Sequence, residues 1–310
     1  MSKVPSDAHV RQRIYEATGV PVATLQRFTT GNHHYVYDAS LTNGKHLAAR
    51  FSSPQERQVA RDALTLNQFL RPELPLPPIF YHDLDAPFPF VLMERLQGKD
   101  LGAYFQDLPP TALKTIATHI GQFQQVTTEK MDAASTFGFA VRASKAPHKS
   151  WPEVLRVHLR RSEQRLQNTP AAAYGKRVEA WIDSLPELDR QRGIPFLHDL
   201  TTKNVIVTPE GELSGIVDVD DFCFGDPTFH LALTAVALDK YSRKDTYLDT
   251  LSTAYAGYRP ERLPLYRALF FLDFLSEMGL AFNGNTVDDS PDRVAYLLQS
   301  LEQELQHAPA

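Results

Sequence analysis

The alternation of apolar and polar residues in the first third of the chain predicts two paired strands followed by a helix. Two β-prone runs, residues 33–41 and 46–51, flank Asn43-Gly44, and an Asn-Gly pair between such runs is typical of a tight β-hairpin. Apolar residues at helical spacing then predict a helix over residues 54–70, which the prolines that follow should end. These patterns indicate that the chain begins with a mixed region of strands and helix.

A second hydrophobic pattern marks the end of this region. The short apolar run bounded by prolines at residues 87–96 predicts a buried strand, so that a small lobe ends near residue 96. Beyond it, apolar residues recur mainly at helical spacing, as on the stripe from Leu113 to Ile120. We therefore expect an α+β fold with two lobes: a β-rich N-lobe with one major helix over residues 1–96, and a larger, mostly helical C-lobe over residues 97–310.

Composition narrows the class of protein. The 310 residues are 43% hydrophobic and 22% charged with a net charge of −5, which is typical of a globular protein and gives no general attraction to nucleic acid. The single cysteine, Cys223, excludes an internal disulfide framework and a zinc site made of thiolates. The N-terminus lacks the apolar stretch of a signal peptide, and no run approaches the ~20 apolar residues of a membrane span. We expect a soluble, cytoplasmic protein without nucleic-acid or membrane partners.

Three side chains in the second half have the chemistry and order of a phosphoryl-transfer site. Asp199 and Asn204 are five residues apart on a loop between β-prone runs, and Asp218 follows fourteen residues later at the end of a predicted strand. Phosphoryl transfer from ATP needs a carboxylate that accepts the proton of the acceptor hydroxyl group, and a carboxylate and an amide oxygen that hold Mg²⁺ against the phosphates. A polar turn that caps its own backbone would also use Asp and Asn. The remaining pattern favours the catalytic interpretation.

The segment around Asp218 resembles the aminoglycoside phosphotransferase and choline-kinase-like family, small-molecule relatives of the protein kinases. The second half of the family pattern, I-D-W-x-D-A-x-x-G-D-P-x-x-D-L-A, aligns with residues 216–232 without gaps. The matching residues are Asp218, Asp221, Gly225, Asp226, Pro227, Leu231 and Ala232. Upstream, residues 89–101 resemble the hinge between the two lobes of the family. Two matches at the right distance make a coincidence improbable.

This resemblance implies a protein-kinase-like two-lobe fold and a kinase or phosphotransferase with an alcohol group as acceptor. It implies ATP and Mg²⁺ as cofactors, with Asp199 as the catalytic base and Asn204 and Asp218 as the metal ligands. The N-lobe would bind the nucleotide, and the C-lobe would carry the catalytic loop, the metal site and the acceptor-binding helices. The hinge backbone groups that would face adenine are those from Met93 to Leu96, namely Met93, Glu94 and Leu96.

The resemblance also implies a strand cation that steadies the α- and β-phosphates, braced by a carboxylate on the following helix. Arg50 stands where the family most often has lysine, and arginine keeps the charge while gaining a planar fork. Asp62 fits the helix position of the bracing acid, with Glu56 as the competing candidate. Gly31 is the one glycine in the turn that would cover the phosphates.

The chain departs from the family pattern at several positions. Leu197 stands where the family usually has a histidine that organises the catalytic loop, and His198 follows it instead. His230 replaces the aspartate that precedes Leu-Ala. Of the acidic residues beside Asp218, we expect Asp221 to organise the loop and Asp220 to be exposed.

Two alternative functions remain open at this point. A protein kinase is disfavoured because only six residues separate Asp218 from Gly225 and a helix is predicted just after Pro227, which leaves no room for a long activation segment. A non-catalytic nucleotide-binding protein is favoured slightly by Leu197 and by the sparse glycine turn, although the base, the amide and the metal carboxylate are all present.

The resemblance implies that the acceptor is a small molecule with a hydroxyl group, and the composition of the C-terminal third bears on the charge of that molecule. Residues 200–310 carry 17 acidic and 8 basic side chains, which suits a cationic acceptor such as an aminoglycoside or another amine. Amino sugars, macrolides, amino alcohols, sugars and hydroxy-amino acids all stay open, because an acidic solvated surface would give the same surplus. The carboxylates that could attract a cation are Asp239, Glu277, Asp288 and Asp289.

Overall fold

The computed structural model describes residues 4–28, 34–190, 192–282 and 285–309, and the chain divides into two compact units. The first unit comprises Met1–Gln97, Gly215–Asp220 and Leu280–Val287, and the second comprises Gly98–Ser214, Asp221–Gly279 and Asp288–Ala310. Two short segments from the second half of the sequence therefore fold with the N-terminal part of the chain.

The first unit is built on a five-stranded antiparallel sheet. Its elements are α1 (Asp7–Thr18), β1 (Val22–Arg27), β2 (His34–Leu41), β3 (His46–Ser52), α2 (Arg57–Leu70), β4 (Ile79–Asp83) and β5 (Phe90–Glu94). The strand order is β1-β2-β3-β5-β4, so β3 and β5 lie in the interior of the sheet. These strands confirm the predicted β-rich N-terminal region, and α2 confirms the predicted helix.

The hairpin between β2 and β3 forms at the Asn-Gly pair, as predicted. The Leu41 N–H donates to the carbonyl of Lys45 at 2.8 Å, and the Lys45 N–H donates to the Asn43 side chain at 3.1 Å. Gly44 has a φ of +83°, in the left-handed region that glycine adopts without the steric cost of a side chain. The resulting register pairs His34 with Ser52, which places these two side chains side by side.

Helices α1 and α2 each bury an apolar stripe in the first unit. Val10 and Ile14 of α1 belong to the same buried cluster as Phe51 and Phe90, whose rings stack at 4.6 Å. The buried residues of α2 recur at helical spacing and are Ala60, Ala63, Leu66 and Leu70. Burial of such stripes, more than local propensity, stabilises helices of this length.

The second unit is mostly helical, as predicted. Its helices are α3 (Leu101–Tyr104), α4 (Pro110–Lys130), α5 (Trp151–Leu166), α6 (Ala172–Asp183), α7 (Thr228–Leu238), α8 (Lys244–Ala254), α9 (Leu263–Glu277) and α10 (Pro291–Glu304). Its short strands are β6 (Lys99–Asp100), β7 (Gly138–Phe139), β8 (Ile194–Leu197), β9 (Val205–Val207) and β11 (Phe222–Gly225). Strand β10 (Leu213–Ile216) runs from this unit into the first, which also holds β12 (Ala281–Phe282) and β13 (Asn285–Thr286). Within the described ranges, no helix combines the length and apolar character that a membrane crossing requires.

The Gly-Asp-Pro motif lies at a buried junction of the second unit. A side-chain carbon at Gly225 would come within 2.0 Å of the Trp151 ring, so only glycine fits against this indole. Asp226 accepts hydrogen bonds from Tyr266 at 2.8 Å and from Arg262 at 2.7 Å, and it caps the first turn of α7 through the Thr228 N–H at 2.9 Å. The motif therefore joins β11, α7 and α9, and Trp151 is fully buried there.

Candidate active site

Asp199 and Asn204 lie on the loop between β8 and β9 and contact each other directly. The Asn204 side-chain amide donates from Nδ2 to the backbone carbonyl of Asp199 at 2.7 Å and to its carboxylate at 3.1 Å. The Thr201 hydroxyl donates to the other carboxylate oxygen at 3.1 Å. Because the amide hydrogens of Asn204 point toward Asp199, its Oδ1 faces away and is the atom that can accept a cation. The donor chemistry of this pair therefore fits a carboxylate base beside an amide metal ligand.

The loop is held in place without the usual histidine. Leu197 pairs with Phe222 across β8 and β11, and the side chain of Gln124 both accepts from its N–H at 3.0 Å and donates to its carbonyl at 2.7 Å. The His198 N–H donates to the carbonyl of Asp221 at 2.9 Å. Gln124 is fully buried, so these hydrogen bonds are shielded from water. The Leu197 backbone, two residues before Asp199, is thus fixed by Gln124 and by its pairing with β11.

His198 is part of an aromatic cluster rather than a solvent-facing catalytic group. Its ring stacks on Phe229 at 4.9 Å and lies against Phe270 at 5.7 Å. Burial, together with nearby His158 and His230, lowers the pKa of His198 well below its usual range. The ring is neutral at neutral pH. Its packing against Phe229 and Phe270 fixes the position of His198, the residue directly before Asp199.

In the first unit, Arg50 lies in a cluster of polar side chains with Asp218, Asp220 and His34. Arg50 Nη1 lies 3.2 Å from Asp220 and 3.4 Å from Asp218, while Nη2 contacts the second oxygen of Asp220. His34 Nε2 lies 3.0 Å from Asp220, and its Nδ1 lies 3.1 Å from the Ser52 hydroxyl. The prediction that Asp220 is exposed is wrong: its side chain is only 11% accessible, because Arg50 and His34 cover it.

The charges of this cluster stabilise one another. Burial alone would raise the pKa of Asp220, but the charge of Arg50 and the hydrogen bond from His34 outweigh it and lower the pKa to about 2. Burial would likewise lower the pKa of Arg50, but Asp220 and Asp218 raise it above the ordinary value. Asp218 is 44% accessible and adopts a φ of +58°, a left-handed conformation that aspartate tolerates better than most residues. An accessible carboxylate of this kind fits the chemistry of a magnesium ligand.

A comparison with models of sequence families identifies the family to which the chain belongs. The model of the phosphotransferase enzyme family, APH, matches residues 24–265 of the chain. The chain belongs to the phosphotransferase enzyme family. The enzyme class predicted from the resemblance, a kinase-type phosphotransferase with an alcohol acceptor, is confirmed. A search of curated proteins gives no significant match.

Solved structures of the phosphotransferase family share the fold. A thermostable mutant of aminoglycoside phosphotransferase APH(4)-Ia in its apo form is 17% identical, with a TM-score of 0.69, over 96% of this chain and 98% of that one. A putative fructosamine-3-kinase from Thermobifida fusca YX-ER1 is 20% identical, with a TM-score of 0.63, over 98% and 100%. APH(2")-IIa, solved as a streptomycin–ATP ternary complex, is 13% identical, with a TM-score of 0.65, over 98% and 99%. At these identities the comparisons confirm the predicted kinase-like fold.

Against the family pattern, His230 is the substitution with the clearest structural consequence. Its Nδ1 lies 2.8 Å from the Tyr258 hydroxyl, and its Nε2 lies 3.1 Å from the carbonyl of Leu200, the residue after Asp199. Since a carbonyl can only accept, Nε2 carries the proton and donates to the loop that carries Asp199. Burial lowers the pKa of His230 to about 4, so the ring stays neutral. Sequence reasoning flagged this position as a departure but could not show its partner.

We expect His230→Asp to lower both stability and turnover, because a buried carboxylate would face the Leu200 carbonyl without a proton to donate. Leaving a buried carbonyl unpaired costs about 1–3 kcal/mol. His230→Gln keeps a donor and should lose less in urea unfolding and in turnover. An aspartate variant as stable and active as the parent would show that the donated proton is not needed.

The structure does not bring Asp62 to Arg50. In the described part of the chain, the Asp62 carboxylate accepts from Gln58 at 2.9 Å, one turn earlier on the helix, and the carboxylates on Arg50 are those of Asp220 and Asp218. The predicted brace between Asp62 and Arg50 is therefore not formed in this structure. Glu56 contributes to the electrostatic environment of Arg50. Gly31 lies outside the described residues.

The predicted hinge comprises the last two residues of β5 and the two residues that follow it. Glu94 pairs with Leu47 on β3, and its N–H donates to the carbonyl of Pro78 at 2.9 Å. The Leu96 carbonyl accepts from the guanidinium of Arg95. Both backbone groups are thus engaged in this structure, and their role in binding adenine stays a prediction. Met93, together with Arg50, Asp218 and Asp220, lines a small pocket that is partly open to solvent.

Two of the four carboxylates expected to attract a cationic acceptor are paired with cations. Asp239 is paired with Lys244 and lies 3.8 Å from Arg267, and Glu277 pairs with Arg165 at 3.2 Å. Asp288 caps the turn before α10 through the Ser290 N–H at 3.0 Å. Asp239 and Glu277 are therefore already paired with cations in this structure.

Three buried neutral histidines predict a loss of stability in acid. Burial lowers the pKa of His158 and of His230 to about 4, and it lowers the pKa of His198 well below its usual range. The unfolded chain binds these protons near pH 6.5, so the stability is complete above that pH and falls as the pH drops toward 4, by about 1.4 kcal/mol per pH unit for each histidine. Urea unfolding between pH 7 and 4.5 measures this slope.

The matched variants are His158→Phe, which removes one buried histidine beside Phe139 and Phe229, and His307→Gln, which removes an exposed one. We expect the first to flatten the pH dependence and the second to leave it unchanged. An equal slope in all three proteins would remove the histidines as its cause.

Proposed function

We propose that this phosphotransferase transfers the γ-phosphoryl group of ATP to a hydroxyl group of a small molecule. The observation that carries the proposal is the paired arrangement of Asp199 and Asn204, in which the amide hydrogens are turned to the carboxylate and the amide oxygen away from it. Phosphoryl transfer relies mainly on positioning and charge neutralisation, and this loop positions both groups through backbone contacts to buried residues.

In the proposed reaction, Asp199 orients the acceptor hydroxyl group and accepts its proton. Asn204 and Asp218 are the residues that would hold Mg²⁺, and Arg50 would bind the α- and β-phosphates. When bound, Mg²⁺ supplies neutralisation of the charge on the transferred phosphoryl group. The N-terminal 1–96 region is proposed as the nucleotide-binding lobe, and residues 97–310 as the lobe of the catalytic loop and the acceptor.

Related structures support the choice of ligands to test. An APH(4)-Ia mutant was solved with ADP and hygromycin B, and APH(2")-IIa with streptomycin and ATP. These ligands belong to those proteins, and we propose the same classes of nucleotide and acceptor for this chain. Aminoglycosides and other amino sugars are the first acceptors to test, followed by amino alcohols, sugars and hydroxy-amino acids.

The non-catalytic alternative and the protein-kinase alternative differ from this proposal in measurable ways. Helix α7 begins at Thr228, only ten positions after Asp218, so the intervening chain is too short for a long activation segment. ADP release should be followed in the presence of Mg²⁺, ATP and each acceptor, with ³¹P NMR to detect the phosphorylated product. Nucleotide binding without turnover on any hydroxyl compound would favour the non-catalytic alternative.

A further inference from the structure

The partner of Arg50 is the feature of the first unit that sequence reasoning did not predict. Arg50 and Asp220 are 170 residues apart in sequence, yet each terminal nitrogen of the guanidinium contacts one oxygen of the Asp220 carboxylate. The Arg50 side chain is 12% accessible and that of Asp220 is 11%, so the pair is shielded from bulk water. Bidentate pairs of this kind are directional as well as strong.

Asp220 also contacts a second side chain, that of His34. His34 Nε2 lies 3.0 Å from the same Asp220 oxygen that Arg50 Nη2 contacts. The Ser52 hydroxyl lies 3.1 Å from His34 Nδ1. When Ser52 donates a hydrogen bond to Nδ1, the proton of the neutral ring is on Nε2, which donates to Asp220. The β2–β3 register pairs His34 with Ser52 and Val36 with Arg50. His34, Ser52 and Arg50 therefore lie at neighbouring positions of one hairpin.

The identity of the cation agrees with this arrangement. A lysine ammonium is a point donor on a flexible stem, whereas the guanidinium fork can hold two carboxylate oxygens and fix its own plane. One Nη1 hydrogen of Arg50 is directed to Asp220, and Nη1 also lies 3.4 Å from Asp218. The second contact is longer and involves the more accessible carboxylate, so it is the one that a phosphate oxygen can replace.

We infer that Asp220, oriented by His34, is the positioning residue that holds Arg50 for the nucleotide phosphates, in the role that the helix carboxylate Asp62 was predicted to play. The inference rests on the proposed function, because it assumes that Arg50 binds phosphate. It makes the brace part of the chain segment that carries Asp218, so one segment contributes both the proposed metal ligand and the support of the phosphate-binding cation.

The test measures ADP affinity without Mg²⁺ by calorimetry, together with the KM for ATP and kcat in Mg²⁺. Asp220→Asn keeps the shape and removes the charge, and it should weaken ADP binding and raise the KM for ATP by about tenfold, the equivalent of one charge-assisted hydrogen bond. The value of kcat should change much less. Asp220→Glu, which keeps the charge, should bind ADP more tightly than Asp220→Asn. Asp62→Asn should weaken ADP binding less than Asp220→Asn does.

A surface ion pair provides the matched control. Asp85 pairs with Arg61 at 2.6 Å but is 85% accessible, so Asp85→Asn should leave ADP affinity within about twofold, as expected for an exposed pair. Thermal unfolding of each variant separates loss of fold from loss of binding.

A double-mutant cycle keeps the test decisive if Asp220→Asn is destabilised. If Asp220 acts through Arg50, adding Asp220→Asn to Arg50→Ala causes no further loss of ADP affinity. Additive effects, unchanged affinity in Asp220→Asn, or tighter binding in that variant would overturn the brace while leaving the proposed function intact. A parent protein that binds neither ADP nor ATP would instead overturn the proposed function, and the brace with it.

Discussion

Replacing Asp199 with asparagine is expected to lower turnover by about two to four orders of magnitude while leaving nucleotide affinity unchanged, the scale expected for loss of a general base. Asparagine has nearly the same shape, so the contacts from Thr201 and Asn204 can be retained in part. What is lost is the carboxylate that accepts the proton of the acceptor hydroxyl group. Steady-state turnover and calorimetric titration with ADP measure the two quantities separately.

The control is Glu210→Gln, which removes a carboxylate from an exposed turn of the same unit. Its turnover should match that of the parent. If Asp199→Asn turned over at a near-normal rate, Asp199 would not be the base, and the contact with Asn204 would be only a device that closes the loop.

The second large effect is expected at Asp218. Asp218→Ala should abolish the part of ATP affinity that depends on Mg²⁺, because the proposed metal ligand links protein and phosphates. Comparing ATP titrations in Mg²⁺ and in EDTA isolates this component. In the parent protein the two curves should differ strongly, and in the variant they should coincide.

The backbone at Asp218 calls for a companion variant. Its φ of +58° is tolerated by asparagine about as well as by aspartate but less well by alanine. Asp218→Asn therefore removes the charge with little added backbone strain and should show the same loss of Mg²⁺ dependence. A Mg²⁺-dependent affinity that persists in both variants would assign the metal to other ligands.

Local chemistry explains why much of the fold could be predicted from the sequence. The Asn43-Gly44 turn forms its hairpin because glycine accepts the left-handed backbone there, whatever surrounds it. The spacing of apolar residues in α2 and the order of the motifs around Asp199 and Asp218 are likewise properties of short segments. The family resemblance rested on such segments, which is why it held despite the low identity to solved structures.

Contacts between distant parts of the chain were beyond the reach of the same reasoning. Gln124 is 73 residues from Leu197, and no motif marks it as the group that holds the catalytic loop. His230 was visible as a substitution, but its donation to the Leu200 carbonyl depends on the packing of α7 against that loop. Such partners are selected by position in space, so sequence spacing carries no signal of them.

The sequence by itself determined the two-part α+β fold, the phosphotransferase family and the candidate residues Asp199, Asn204 and Asp218, because hydrophobic period, turn residues and contiguous motifs are encoded locally. The tertiary structure alone decided that Arg50 is paired with Asp220 instead of Asp62 and that Asp220 is buried. The reason is electrostatic: a charge removed from water must be compensated by whichever opposite charge the fold brings within hydrogen-bond distance. For Arg50 that charge lies 170 residues away along the chain.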